Sequence, residues 1–181
     1  MVYLCILFTT ILIASQTDLM INNITETSHI PEFHYIVIFY TILTSFYFAY
    51  KIDHIFKDIL HINNKSIHFL IIVSSLMIAI GSIFPYTLNQ YDISSQIHVL
   101  FSFLPCLVFL GLLFVIIYKL SIYDLDRYFK IIPFFRFGII FLMICLILFS
   151  RVNGYLEILF VLFVSISLYM IENNGIFHKK D

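Results

Sequence analysis

The stretch SSQIHVLFSFLPCLVFLGLLFVIIY, residues 94–118, decides the fold. Beyond its three polar opening residues, only His98 and Ser102 interrupt an apolar run without a single charge. A helix needs about 20 such residues to cross a bilayer core. This segment therefore reads as a membrane-spanning helix. His98 stands at its mouth, where a structural tie, a ligand and a catalyst are all conceivable roles.

Working outward, five more apolar segments can be marked, giving spans at 2–15, 35–50, 67–84, 97–118, 131–150 and 154–171. The first two fall below the usual ~17–25 residues and need flanking residues or partial burial to cross. Over 181 residues the chain is 61% hydrophobic and only 12% charged. Its mean hydropathy is +1.01. The charges come in short clusters between long apolar runs, the pattern of a polytopic membrane protein. A formal net charge of −1 leaves no basic stripe to neutralise phosphates, which excludes nucleic acid as a partner class. The expected fold is all-α: one transmembrane domain over 1–181, a bundle of six helices.

Lys and Arg orient the bundle. Residues 16–34 carry none, against Asp18, Glu26 and Glu32. Residues 51–66 carry Lys51, Lys57 and Lys65, and residues 85–96 again carry none. Lys119, Arg127, Lys130 and Arg136 surround the start of the fifth span, Arg151 stands alone before the sixth, and Lys179 and Lys180 close the chain. With six crossings, nine of the ten basic residues share one side. That predicts a multi-pass cell-membrane protein with both termini cytoplasmic, Arg136 snorkelling to the cytoplasmic face. Residues 1–16 allow a second reading, a cleaved signal peptide, but lack a basic n-region. Either way residues 16–34 lie outside. Tyr35, Tyr50, Tyr86, Tyr118, Tyr155 and Tyr169 at span ends suit the interface.

Polar residues inside spans are costly and therefore informative. His98 lies in the first turn of span four and Glu157 about one turn into span six, at similar predicted depth on the outer side. Arg151 and Asn153 cap the same end, and Asn89, Gln90 and Asp92 lead to His98. This outer cluster reads either as a head-group or substrate site, with histidine acid/base chemistry available, or as residues that lock helices together. Arg151 is six residues before Glu157, a poor spacing for a pair within one helix.

Other motifs carry less. Ser94 and Ser102 flank His98 at helical spacing, but no nucleophile elbow accompanies them. His54, His61 and His68 recur every seven residues, yet Asn63, Asn64 and Lys65 interrupt any helix between them. The chain contains no HxxxH or HExxH pattern, so no metal site or cofactor is expected. Cys5, Cys106 and Cys145 sit in apolar runs at different depths, which argues against a disulfide. Asn23-Ile24-Thr25 matches a glycosylation sequon on the outer side. Pro105 and Gly111 in span four and Pro133 in span five should kink helices or allow close packing.

Pro31 and Glu32 directly before span two, Gly81 to Phe84 (GSIF) closing span three, His98 opening span four and Glu157 near the start of the last span are similar to features of the DRAM-like family of six-helix membrane proteins. That family includes lipid-linked regulators and factors acting on lipid-anchored proteins. The resemblance covers the architecture of nearly the whole chain, although TETSH stands where the family has Ser-Asp and Ile158 where it has Trp. It implies an outer-leaflet, lipid-related role and no particular reaction.

Three functions follow as expectations. The first is recognition of a lipid head group or lipid-linked substrate by an outward site of His98 and Glu157, with Glu32, Asp92 and Arg151 around it. The second is a small-solute transporter, disfavoured by spans that are apolar below their outer turns. The third is a non-catalytic membrane partner, joined to another protein or to its own copies. Whether any reaction is catalysed stays open.

Overall fold

In the computed structural model, residues 1–84 and 92–173 are described. They form six α-helices: α1 Val2–Ala14, α2 His34–His54, α3 Lys65–Gly81, α4 Ile93–Tyr123, α5 Leu125–Phe149 and α6 Gly154–Asn173. A 3-10 helix, Ile24–His29, lies between α1 and α2. Successive helices from α2 to α6 pack as neighbours, α1 closes against α6, and the 3-10 helix touches both α1 and α2.

The helix lengths redistribute the spans. The α2 helix continues through a π-turn, Ile55–Ile59, so the second span is longer than its 16-residue apolar stretch suggested. It ends at Leu60, whose amide reaches back to the Ile55 carbonyl, and at His61, which adopts φ 54°. Conversely, α3 stops at Gly81, because Ser82–Phe84 turn away instead of extending the helix. The α4 helix has 31 residues, begun by an Asp92 cap on the Ser94 amide at 3.2 Å. Four segments, α2 with its π-turn, α4, α5 and α6, are long and apolar enough to cross a membrane. The α1 and α3 helices, at 13 and 17 residues, are apolar but shorter.

The main core lies where the helices converge around α4. Ile52, Phe56, Leu113, Ile116, Phe135 and Leu168 are almost fully enclosed there. The outward faces remain apolar, with Leu148 and Phe137 about as open as surface residues at 74% and 68%. Such a surface suits hydrocarbon rather than water.

Close helix approach depends on glycines other than the one singled out by sequence. A Cβ on Gly111 would meet nothing within 4 Å, whereas at Gly81 it would press on Phe101 and Ser102 of α4 at 3.1 Å. At Gly138 it would fall 2.2 Å from the Phe163 ring of α6. That ring packs beside Phe134 and Phe135, so the α5–α6 contact needs a bare backbone at 138. Both Pro105 and Pro133 lie inside continuous helices.

The two ends of the bundle differ chemically. One, carrying Asp18, Glu26, Glu32, Asp92 and Glu157, is called the acidic end below. The other, carrying Lys51, Lys57, Lys65, Lys119, Arg127 and Lys130, is the basic end. All three cysteines are free.

Candidate functional site

At the acidic end, residues 16–33 fold back onto the bundle instead of forming an open loop. The 3-10 helix opens on a capping box: the Asn23 side chain accepts from the Glu26 amide at 2.9 Å, and a Glu26 carboxylate oxygen accepts from the Asn23 amide at 2.8 Å. This arrangement satisfies amides that a helix start leaves without partners. The Ile24 amide, next in line, is taken by Glu157 Oε2 of α6 at 2.5 Å. Glu157 therefore joins two helix starts, its own and that of the 3-10 helix, both of which favour a negative charge.

Further bonds fasten the same loop to α6. The Gly154 amide donates to the Asn22 carbonyl at 2.7 Å. Asn153, fully buried, caps α6 by accepting from the Leu156 amide at 3.0 Å and donates to the Met20 carbonyl at 3.3 Å. Arg151 donates to that same carbonyl at 3.2 Å. A Cβ at Gly154 would come within 2.8 Å of Leu19, so the loop lies directly on the helix start. Asn23 is itself only 8% exposed, and with its side chain engaged in the capping box it is a poor acceptor for a glycan, whatever its sequon suggests.

His98 makes a different tie. Its Nδ1 donates to the carbonyls of Gly81 and Phe84 at 2.8 and 3.1 Å, which fixes the tautomer with the proton on Nδ1. Gly81 closes α3, and its carbonyl also accepts from the Phe84 amide at 3.2 Å, while Phe84 lies in the turn that follows. The ring is 4% exposed.

The expected cluster is thus distributed. Among the described residues no hydrogen bond or ion pair joins His98 to Glu157, and none joins Arg151 to Glu157. Asp92 caps α4, and Glu32 is exposed in the turn before α2. Asn89 and Gln90 lie outside the described residues. Glu157 is half-buried, holds one backbone amide and faces no cation within ion-pair distance among the described residues. A step inward, Thr10 of α1 shares a short hydrogen bond with Tyr40 of α2. Both also address the Ile6 carbonyl.

Two groups at the basic end escaped the sequence reading. Glu172 of α6 accepts from Lys51 of α2 at 2.8 Å and from the Tyr3 hydroxyl of α1 at 3.0 Å. The Lys51 ammonium also lies 5.9 and 5.8 Å from the Tyr3 and Tyr47 ring centres, within cation–π range. Nearby, Asp53 of α2 pairs with both Lys57 and His68 of α3. The break expected at 63–65 is present, with Asn64 capping α3, but His68 is a tie between helices and not a solvated loop residue. Among the described residues no group of three or more His, Cys, Asp or Glu side chains is placed to hold a metal ion.

Compared with known proteins, the chain matches no family model, no curated protein and no solved structure.

Proposed function

We propose that this is a six-span membrane protein, both termini cytoplasmic, whose outward acidic end recognises a lipid head group or lipid-linked substrate through Glu157. The single observation behind this reading is the state of that carboxylate. It sits in the first turn of an apolar helix, its Oε2 accepts one backbone N–H, and no cation within ion-pair distance neutralises it among the described residues. A charge in such a place is retained for a reason. With Asp18, Glu26, Glu32 and Asp92 at the same end and only Arg151 opposing them, the ligand chemistry is a head group bearing an ammonium or several hydroxyls. His98 holds the α3–α4 corner at the same end through the Gly81 and Phe84 carbonyls. The orientation rests on the Lys and Arg distribution.

Native mass spectrometry of the full chain in mild detergent tests this, with phosphatidylethanolamine, a glycosyl diacylglycerol and phosphatidic acid offered together. Wild type should retain the first or second, and Glu157→Gln should lose it while any binding of phosphatidic acid stays unchanged. The amide oxygen of glutamine can still accept from Ile24, so the loop stays seated. Equal retention by both proteins would sink the reading. It would favour a non-catalytic membrane partner, which the use of His98 and Asn153 on backbone groups also supports.

A further inference from the structure

The helices α2 and α3 enclose a cavity of about 250 Å³ that opens sideways near the basic end. Its floor is apolar, formed by Phe46, Ala49 and Ile72 among others, while its polar groups, Tyr50, Asp53, Lys57 and His68, gather at one end. Ser75, also in the lining, turns its hydroxyl to the Ile71 carbonyl at 3.1 Å and adds no polarity to the floor. Phe46 and Ile72 remain 43% and 55% exposed, on a face that in a membrane meets hydrocarbon.

The polar end is biased toward an anion. Asp53 is the one carboxylate in the lining: its Oδ2 accepts from Lys57 Nζ at 2.7 Å, and its Oδ1 lies in an ion pair with His68 Nδ1. His68 Nε2 meets the Asn63 side-chain oxygen at 3.2 Å. Lys57 has a side chain 45% exposed and two ammonium protons not used on Asp53. Tyr50, also in the lining, has its ring stacked on that of His54.

We propose that this groove binds an anionic phospholipid, its phosphate on Lys57 with the Tyr50 hydroxyl and one acyl chain along Phe46 and Ile72. The polarity gradient is that of an amphiphile: apolar along the groove, cationic at the end where snorkelling lysines meet phosphates. The volume lies just under the ~300–1,000 Å³ of sites that enclose compact soluble ligands, and the sideways opening suits a chain that continues into the bilayer. This site is separate from the one proposed around Glu157, at the opposite end of the bundle and with opposite charge preference.

The test is native mass spectrometry of the full chain with phosphatidylglycerol and with diacylglycerol of the same chains. The proteins are wild type, Lys57→Gln, Ile72→Trp and Glu157→Gln. Wild type should prefer phosphatidylglycerol. Lys57→Gln should weaken that lipid about tenfold, as loss of a charge-assisted hydrogen bond implies, while still accepting diacylglycerol. Ile72→Trp should weaken both lipids by crowding the chain. Glu157→Gln should leave both unchanged, so this site and the outer one fail independently. Phosphatidylglycerol binding unaffected by Lys57→Gln and Ile72→Trp would overturn the proposal. So would displacement by glycerol 3-phosphate as effective as by the lipid, since a free phosphate needs no groove.

Discussion

The two ends of this bundle are fastened by different chemistry. At the acidic end, side chains reach backbone groups: Glu157 to the Ile24 amide, Asn153 and Arg151 to the Met20 carbonyl, and His98 to the Gly81 and Phe84 carbonyls. At the basic end, side chains pair with side chains: Lys51 with Glu172, Lys57 and His68 with Asp53, and Arg127 with Asp124. Backbone-directed bonds position loops and helix ends, because main-chain groups are fixed in the fold. Two of these pairs, Lys51–Glu172 and Asp53–His68, join separate helices, while Asp53–Lys57 and Asp124–Arg127 join neighbours along one stretch of chain. The acidic end is therefore built for shape, and the basic end for charge.

Substitutions can break that contrast, beginning with the largest effect. His98→Ala should cost about 2–4 kcal/mol, since it opens a buried space and removes the donor that ties the Gly81 and Phe84 carbonyls to α4. The loss should be nearly the same at low and high salt, as measured by denaturant unfolding in detergent. Gly138→Ala should cost about 1–3 kcal/mol by forcing the Phe163 ring from α5, again without salt dependence. Lys51→Met should cost about 2 kcal/mol, because Glu172 keeps only the Tyr3 hydroxyl in a half-buried site. Adding Glu172→Gln to Lys51→Met should recover part of that loss, whereas at the acidic end no second substitution should rescue His98→Ala. Smallest is Lys57→Gln, whose exposed pair with Asp53 should be worth less than about 0.5 kcal/mol and vanish in 1 M salt. A salt-sensitive His98→Ala, or a Lys51→Met that the second change cannot relieve, would erase the distinction.

Hydropathy made the six helices legible, because apolar segments in a chain with so little charge have few other destinations. It could not see where they end. The polar turns 93–97 and 119–123 of α4 are helical because hydrogen bonding continues past the apolar stretch and Asp92 caps its start. The π-turn after His54 is likewise invisible to a hydropathy window. At the candidate site, the end that His98 and Glu157 occupy was legible from their place within each apolar run. Their partners were not, since both bond to backbone atoms, whose positions depend on how residues 19–24 and 81–84 fold. The Lys51–Glu172–Tyr3 group links residues as far as 169 apart in sequence. No spacing rule within one helix connects Tyr3, Lys51 and Glu172, which lie on α1, α2 and α6. The poor spacing of Arg151 and Glu157 was a sound signal: the arginine turns to Met20 instead.

The link between α5 and α6 bears on how such a chain is made. Ser150 takes a left-handed conformation at the end of α5, and only residues 150–153 separate it from Gly154. On the six-span reading, a tip this short leaves no room for one helix to cross before the other, so the two enter the bilayer as a preformed hairpin. Arg151 and Glu157 then travel in the same step, and the penalty of about 2.5–3.5 kcal/mol for an arginine at mid-bilayer falls on the helix pair and not on a single helix. Lengthening the tip with a few glycines should uncouple the two insertions and slow the arrival of Arg151 on the far side.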